Sequence, residues 1–428
     1  MVVPVAPRPL PPSLYAETAR AAVATPPLAG DRRVSCAIVG GGFTGLSAAL
    51  SLAEHGVDTV VLEAHEPGWG ASGRNGGQVN PGLKHDPDQV EADFGPDLGR
   101  RMVTLSWNAP NVVFDLIRRY QIGCDASQSG TLRVAYTPHA ADGIGGSFAQ
   151  GERRGMPVSL LDRQAVADAT GTTRYRAAML DARGGHVNPL GYARGLAQAA
   201  MQAGAAVHGA TPAPRIARNG PAWQIATPRG TVTTERVILA TNAYTDDLWP
   251  GLRRSVVPVY SGIVASAPLA DTGVMPRRSA LYEMGNITVY YRLDAANRLL
   301  MGGRCRQRDL ARPEELRFLI RYAERLWPAV RGARWTHAWS GQVAVTPDHY
   351  PHIHEPADGV LACLGYNGRG VAMATAMGPL LARRILGGKQ PEIDMPITTI
   401  REIPFHALWR SAVAARVIYG RIRDRLGL

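Results

Sequence analysis

Hydrophobic positions in the first third of the chain switch between two periods. Ala37-Ile38-Val39 is a short apolar run of the kind that forms a buried parallel strand. Directly behind it Leu46, Ala49, Leu50 and Ala53 recur at helical spacing, and Gly56 supplies a stop. A second apolar run, Thr59 to Leu62, reads as the next strand. Between the first strand and the helix stand Gly40, Gly42 and Gly45, spaced G-x-G-x-x-G. In such a unit the first glycine makes a tight turn, the second lets a pyrophosphate approach the backbone, and the third packs helix against strand. Phe43 and Thr44 open a helix whose free N–H groups and positive dipole end face that pyrophosphate. Glu63, followed by Ala64, closes the second strand, where a carboxylate accepts hydrogen bonds from a ribose 2′-hydroxyl and repels a 2′-phosphate. Strand, glycines, helix, strand and acid in register predict a dinucleotide site.

Further along, the pattern leaves the alternation of strand and helix and later returns to it. Residues 1–34 read as an extended arm with one short helix near Ser13 to Ala22. Residues 97–120 predict a long amphipathic helix, broken or bent at Pro110, and Thr131 to Tyr136 a strand. Asn188 is a good N-cap with Pro189 at the first helical position, and that helix ends before Gly204. Val237 to Ala243 is another buried strand. Ile287 to Arg292 and Arg298 to Gly303 predict a hairpin, and Pro313 and Pro328 bracket a helix. Trp335, His337 and Trp339 alternate on one strand face.

Pro67 to Val79 is unusual. Gly68, Gly70, Gly73, Gly76 and Gly77 fall within it, interleaved with Ala71, Ser72, Arg74 and Asn75 and followed by Gln78. Such backbone lies flat against a planar ligand and offers N–H groups to phosphates. A nicotinamide enzyme would return at once to regular βαβ units. A long glycine-rich segment here is what FAD needs to run from its diphosphate to its isoalloxazine. The GGGFTGLSAAL opening and the GASGRNGGQVNPGLK stretch resemble the D-amino-acid-oxidase-like (DAO) family of FAD-dependent amine oxidoreductases. The closest resemblance is to γ-glutamylputrescine-oxidoreductase-like and L-pipecolate-oxidase-like members.

That resemblance implies an α/β fold, with a Rossmann-type FAD-binding domain interleaved with an α+β substrate domain. The expected division gives residues 13–84, 181–255 and 335–390 to the FAD-binding domain and 85–180 and 256–334 to the substrate domain, with 391–428 as a C-terminal extension. It implies that Ala213 meets the adenine through its backbone and that Ala240, Thr241 and Asn242 form an FAD-contacting turn. Gly341 and Thr346-Pro347-Asp348 resemble the segment passing the flavin ring. Gly365, Asn367, Gly368, Arg369, Gly370 and Val371 open a helix whose N–H groups meet the pyrimidine edge of the flavin, where negative charge gathers on reduction.

Arg74 and Arg369 sit inside these motifs and are catalytic candidates. Arg369 would either stabilise the anionic reduced flavin or grip a substrate carboxylate. Two positions depart from sarcosine-oxidase-like relatives: Gly341 replaces a flavin-linking cysteine, and Ala372 a carboxylate-binding lysine. The resemblance therefore implies non-covalent FAD and oxidation of a C–N bond in an amine or amino acid by hydride transfer to flavin N5. The imine then hydrolyses, and no dedicated base is needed. Alternatives within the fold are a tRNA-modifying flavoprotein and a non-catalytic assembly flavoprotein. Of Tyr260, Tyr282, Tyr290 and Tyr291, strand alternation sends about half into the core and the rest to a pocket. His349, His352 and His354 match no metal spacing and read as loop histidines.

Composition narrows the partners. The chain has 428 residues, 45% hydrophobic and 19% charged, and contains no uninterrupted apolar run of the roughly 18 residues that a spanning helix needs. Four scattered cysteines without C-x-x-C pairing, and a Pro-rich start lacking the apolar core of a signal peptide, point to the cytoplasm. The net charge of +12 comes almost wholly from dispersed arginines, which reads as compositional bias rather than a nucleic-acid footprint. Lys84, one of only two lysines, ends the flavin-proximal run and is a third catalytic candidate: a fixed cation beside the ring stabilises the anion formed when oxygen takes an electron. At the C-terminus Leu408, Trp409, Val413, Val417, Ile418 and Ile422 alternate with Arg410, Arg416, Arg421, Arg423 and Arg425. This segment reads either as a helix docked on the protein's own body or as a basic amphipathic helix on an anionic membrane, passing electrons to quinone rather than to oxygen.

Overall fold

The computed structural model describes residues 7–270, 273–285 and 288–426. Two sheets organise them. In the first, the strands run in the order Ile397–Thr398, His352–Ala357, Val360–Leu364, Gly230–Leu239, Arg32–Val39, Thr59–Leu62 and Ala206–His208, with Ala222–Thr227 also paired to Gly230–Leu239 and Arg215–Asn219 paired to Ala222–Thr227. Its centre is parallel: Ile38 is paired with both Ile238 and Val61. These strands are buried on both faces, which is why they read as continuous apolar runs rather than as alternations.

Two helices cover one face, Phe43–Glu54 and Gly370–Ile385, and their side chains share a core with Ile38, Val61 and Ile238. They cross closely at Ser47 and Gly378. The Ser47 hydroxyl donates to the Thr375 carbonyl at 2.8 Å, and a Cβ on Gly378 would lie 2.5 Å from Ser47 Oγ. The crossing holds both helix N-termini on the same side of the sheet, beside the C-terminal ends of its central strands.

The second sheet has the order Trp335–Val345, Val257–Ser266, Leu299–Arg304, Tyr290–Leu293, Ala280–Glu283, Thr131–Ala135, Ala177–Asp181 and Val158–Leu161. It is antiparallel except where Ala280–Glu283 meets Thr131–Ala135. It has its own core around Leu132, Val264, Leu281, Tyr291 and Leu319.

Several expectations shift. Trp335–Val345 pairs with Val257–Ser266 along its whole length, so this strand belongs to the second sheet and not to the nucleotide-binding half expected from residue 335. Within the expected extension from residue 391, Ile397–Thr398 joins the first sheet beside His352–Ala357. A short helix from Pro87 ends at Gly95, whose φ of 78° is left-handed, and the expected long helix follows it to Arg119 with no break at Pro110. Pro110 stays inside the helix, because burial of Met102, Val103, Trp107, Val113 and Phe114 on that face outweighs one lost hydrogen bond. The hairpin forms with its first strand at Tyr290, and Ile287 lies outside the described residues.

The C-terminal helix, Trp409–Leu426, does not present a single apolar stripe. Trp409, Val413 and Val417 face a cavity on the protein's own body, whereas Ile418 and Ile422 are exposed. Neighbours in sequence lie about 100° apart on a helix, so Val417 and Ile418 cannot share one narrow face. The side chains of Arg421 and Arg425 lie outside the described residues.

Candidate active site

An elongated cavity of about 610 Å³ runs from the C-terminal ends of the first sheet to the face of the second. At one end, Gly40, Gly42, Phe43 and Thr44 line it. Gly40 has a φ of 109°, and a Cβ there would meet the Ala240 carbonyl oxygen at 2.8 Å. The Phe43–Glu54 helix has no side-chain cap at Gly42, although the Ser72 hydroxyl accepts the Phe43 N–H at 3.0 Å. Glu63 accepts from the Gly41 N–H at 2.7 Å and the His65 N–H at 2.9 Å. Burial raises its carboxyl pKa, and these hydrogen bonds oppose the rise. Ala64, Ala213, Ala240, Thr241 and Asn242 complete this end. Asn242 accepts the Gly365 N–H at 3.0 Å and so ties two strand-end loops together.

Gly70, Ala71, Ser72, Arg74, Asn75, Gly76 and Gln78 form the middle wall. The side chains here mostly hold the loop. Asn75 donates to the carbonyls of Ala71 and Ser72 and accepts the Gly77 N–H. Gln78 donates to the Leu281 and Tyr291 carbonyls, fastening the loop to the second sheet. Arg74 is buried; its Nε donates to the Trp69 carbonyl at 2.8 Å, and its guanidinium lies 4.2 Å from the Trp69 ring centre. With Asp309 at 3.8 Å, these contacts fix that guanidinium on the cavity wall.

At the far end, Gly341, Asn367, Gly368, Arg369, Gly370 and Val371 line the cavity, opposite Tyr282 and Tyr290. The Gly370–Ile385 helix has no side-chain cap at Arg369, so its first amides are available there. Arg369 Nη2 donates to the Tyr282 hydroxyl at 2.9 Å, and the guanidinium lies over that ring at 4.5 Å. Its Nη1 is buried without a partner. Lys84 is open to the cavity but makes no hydrogen bond or ion pair among the described residues. Although open, it sits in a deep concavity. Desolvation first, then Arg369, Arg304 and Arg133, lower its pKa to about 8 against the weaker pull of Asp86.

Three expected cofactor residues lie behind the wall. A Cβ on Gly45 would come 2.0 Å from the Gly40 carbonyl oxygen, on Gly77 2.2 Å from the Val187 carbonyl oxygen, and on Gly365 2.3 Å from Thr346 Cγ2. They shape the turns that carry the wall. Of the four tyrosines, Tyr282 and Tyr290 reach the cavity, Tyr291 is core, and the Tyr260 hydroxyl accepts from Gln342. His349 lines a second cavity, His352 pairs with Asp348 at 3.0 Å, and His354 bonds the Thr398 carbonyl. Sequence reasoning missed Ser261, Tyr244 and Arg304 on the wall. An arginine ending the apolar run Leu299 to Met301 and its two glycines was the available signal for the last.

These residues fit a dinucleotide: Glu63 offers carboxylate oxygens to ribose hydroxyls, one helix end offers amides to a diphosphate, and the other offers amides to an electron-rich ring edge. The comparisons agree. Residues 35–384 match the family model DAO, FAD dependent oxidoreductase. The chain is 32% identical over 407 residues to γ-glutamylputrescine oxidoreductase of Escherichia coli (strain K12), covering 91% of this chain and 93% of that protein. It is 32% identical to the probable oxidoreductase OrdL of Rhizobium meliloti (strain 1021), covering 86% and 87%. Among solved structures, glycine oxidase from Geobacillus kaustophilus aligns with a TM-score of 0.73 at 23% identity, over 87% of this chain and all of that one. The L-proline dehydrogenase from P. horikoshii aligns at 0.71 and 19% identity, over 85% and 96%, and shares the fold. The chain belongs to the DAO family of FAD-dependent oxidoreductases.

Proposed function

We propose that this protein oxidises a C–N bond of a small amine or amino acid, using FAD held without a covalent link. The observation that carries the reading is the pairing, in one cavity, of a complete dinucleotide wall with a facing wall of tyrosines and uncompensated cations. Bound FAD supplies the acceptor for hydride leaving the carbon next to nitrogen. Arg369 and the Gly370–Ile385 helix end hold negative charge at that place, whether on the reduced ring or on a substrate carboxylate. Among the described residues the only carboxylates on the wall are Glu63 and Asp246, and Glu63 is held by two backbone amides. The substrate enters as the free amine, whose own lone pair assists the reaction, and neither wall carboxylate is required as a base. The imine product hydrolyses to a carbonyl and an amine.

No cysteine lines the wall among the described residues, and Gly341 packs with its Cα side against Arg74, where a Cβ would lie 3.0 Å from Arg74 Cβ. Both features support non-covalent FAD. Acid precipitation of the holoenzyme should leave a yellow supernatant, and flavin retained in the pellet would contradict this. The similarity to a γ-glutamylputrescine oxidoreductase and a glycine oxidase supports an amine or amino acid as substrate. Anaerobic bleaching of the flavin by a panel of γ-glutamyl amines, polyamines and cyclic or D-amino acids tests the class.

A second observation bears on the electron acceptor. Ile418, Tyr419 and Ile422 are large apolar residues exposed at 51–61%, with Arg410 on the same segment, whereas Phe405, Leu408, Arg416 and Arg423 also line the second cavity. No helix of the described residues is long and apolar enough to cross a membrane. The segment instead suits peripheral contact with an anionic bilayer, which favours a membrane quinone over oxygen as acceptor. Co-sedimentation with anionic vesicles, lost on deleting residues 406–428, is expected. Intact protein that never sediments would remove the membrane reading and leave oxygen.

A further inference from the structure

Tyr282 and Tyr290 do not close the active-site cavity. Lys84, Thr288 and Arg304 line it and also line a second cavity of about 960 Å³, lying between the second sheet and the C-terminal helix. The charge of this second space is one-sided. Among the described residues its wall carries Lys84, Arg304, Arg416 and Arg423 together with three histidines, and no Asp or Glu. Between the charges the wall is apolar, with Val257, Val259 and Met284 on one side and Trp409, Val413 and Val417 on the other.

Arg304 stands at the junction. It ends the Leu299–Arg304 strand, and the Tyr290 ring lies over the preceding Gly302, where a Cβ would come within 2.1 Å of it. Half-buried where the cavities meet, the Arg304 guanidinium makes no hydrogen bond or ion pair among the described residues, and desolvation lowers its pKa. Three other enclosed arginines are paired. Arg133 has Asp86 at 2.7 Å, Arg74 has the Trp69 carbonyl and Asp309, and Arg292 donates to the Gly76 and Val187 carbonyls. A charge partly withdrawn from water and left without a partner is unfavourable, so folded proteins tend to pair such charges. The absence at Arg304 falls where two cavities meet, which makes a ligand the natural partner.

We propose that the second cavity takes the far end of an elongated substrate and that Arg304 receives a carboxylate there, while the amine end lies in the first cavity. The proposal rests on the C–N reading above and narrows its substrate class. A guanidinium fork matches a planar carboxylate with two parallel hydrogen bonds. The apolar wall suits a methylene stem. A second ammonium at the far end, as in a free diamine, would face four cations and no acid. The substrate is therefore an amine bearing a distal carboxylate rather than an unmodified polyamine.

The test uses the FAD-loaded full chain and a matched pair of amines, hexylamine and 6-aminohexanoate. Anaerobic stopped-flow reduction yields a Kd for each. Wild type should bind the carboxylate-bearing amine about 10- to 100-fold more tightly. Arg304→Met should bring the ratio of the two Kd values near one, and Arg304→Lys should recover part of it. Arg304→Gln replaces the methionine variant if that variant does not fold. A ratio near one in wild type, or an unchanged ratio in a variant with normal flavin content, overturns the proposal. If neither amine bleaches the flavin, the C–N reading is in question by itself, and glutarate binding, followed by the flavin difference spectrum, decides the Arg304 site separately. Loss of about tenfold in glutarate affinity in Arg304→Met supports the site, and equal affinity overturns it. Inorganic phosphate that displaces glutarate and binds more tightly would overturn the carboxylate assignment.

Discussion

The two ends of the active-site cavity are built on opposite electrostatic plans. At the dinucleotide end Glu63 is held by two backbone amides, and Arg74 by a carbonyl, a tryptophan face and Asp309. At the substrate end Arg369 keeps a buried, unpartnered Nη1, and Lys84 and Arg304 make no hydrogen bond or ion pair among the described residues. The first end is a finished surface that a cofactor settles against. The second is complete only when negative charge arrives, and until then its mutual repulsion is a cost borne by the fold. Stability and chemistry should therefore respond to mutation at different ends.

The largest effect should come from splitting the glycine motif. In Gly45→Ala the new Cβ meets backbone at 2.0 Å with nothing flexible to yield, so a loss of several kcal/mol is expected, seen as a collapsed melting transition by circular dichroism. In Gly42→Val the added atoms meet the Ser72 side chain and the cavity, so the protein should melt cooperatively yet purify without flavin. If both variants fail alike, the motif does not divide into packing and binding glycines.

Next in size is Arg369→Met, expected to lower kcat/KM by about 100- to 1,000-fold while flavin content stays normal. Arg74→Met should reverse the emphasis, lowering Tm by removing the Trp69 stack and changing the reductive rate much less. Equal kinetic losses in the two would erase the contrast between the ends.

The smallest effect concerns Lys84, whose pKa of about 8 stands below the ordinary 10.5. A lowered lysine pKa means that the cation is present below about pH 8 and lost as pH rises through that value, well before an ordinary lysine would deprotonate. If the cation assists electron transfer to oxygen, that rate in wild type should fall by roughly tenfold as pH rises through about 8. In Lys84→Met the rate should be low and level. A flat wild-type profile would return Lys84 to a purely structural place on the wall. The same cation is unfavourable to the empty fold, so the methionine variant of the apoprotein should melt slightly higher at pH 7.

What the sequence revealed follows the same division. The dinucleotide end was legible because its determinants are local: Gly40 to Gly45, Glu63 and the run to Gln78 lie in one stretch whose spacing carries the chemistry. Of the residues expected there to hold the cofactor, Gly45 and Gly77 lie behind the wall instead of on it, because a glycine needed for close packing and one needed for ligand approach look identical in sequence. The substrate end is assembled from Lys84, Tyr282, Arg304 and Arg369, which strand pairing brings together from separate segments, and Arg304 left only a faint signal. The strand Trp335–Val345 was recognisable, but its partner was not, since alternation reveals a pleated face and not the neighbour along its edge. Pro110 misled because tertiary burial overrode local propensity, whereas Gly95 made the break through a left-handed φ.

The central claim is that the cavity oxidises a C–N bond. Anaerobic mixing of the holoenzyme with free amines and amino acids, followed by flavin absorbance, tests it most directly. The account predicts rapid bleaching by at least one amine, with rates rising with pH as the substrate loses its proton, and release of the matching carbonyl compound. A flavin that dithionite bleaches, but that no amine or amino acid reduces at any pH, would contradict it.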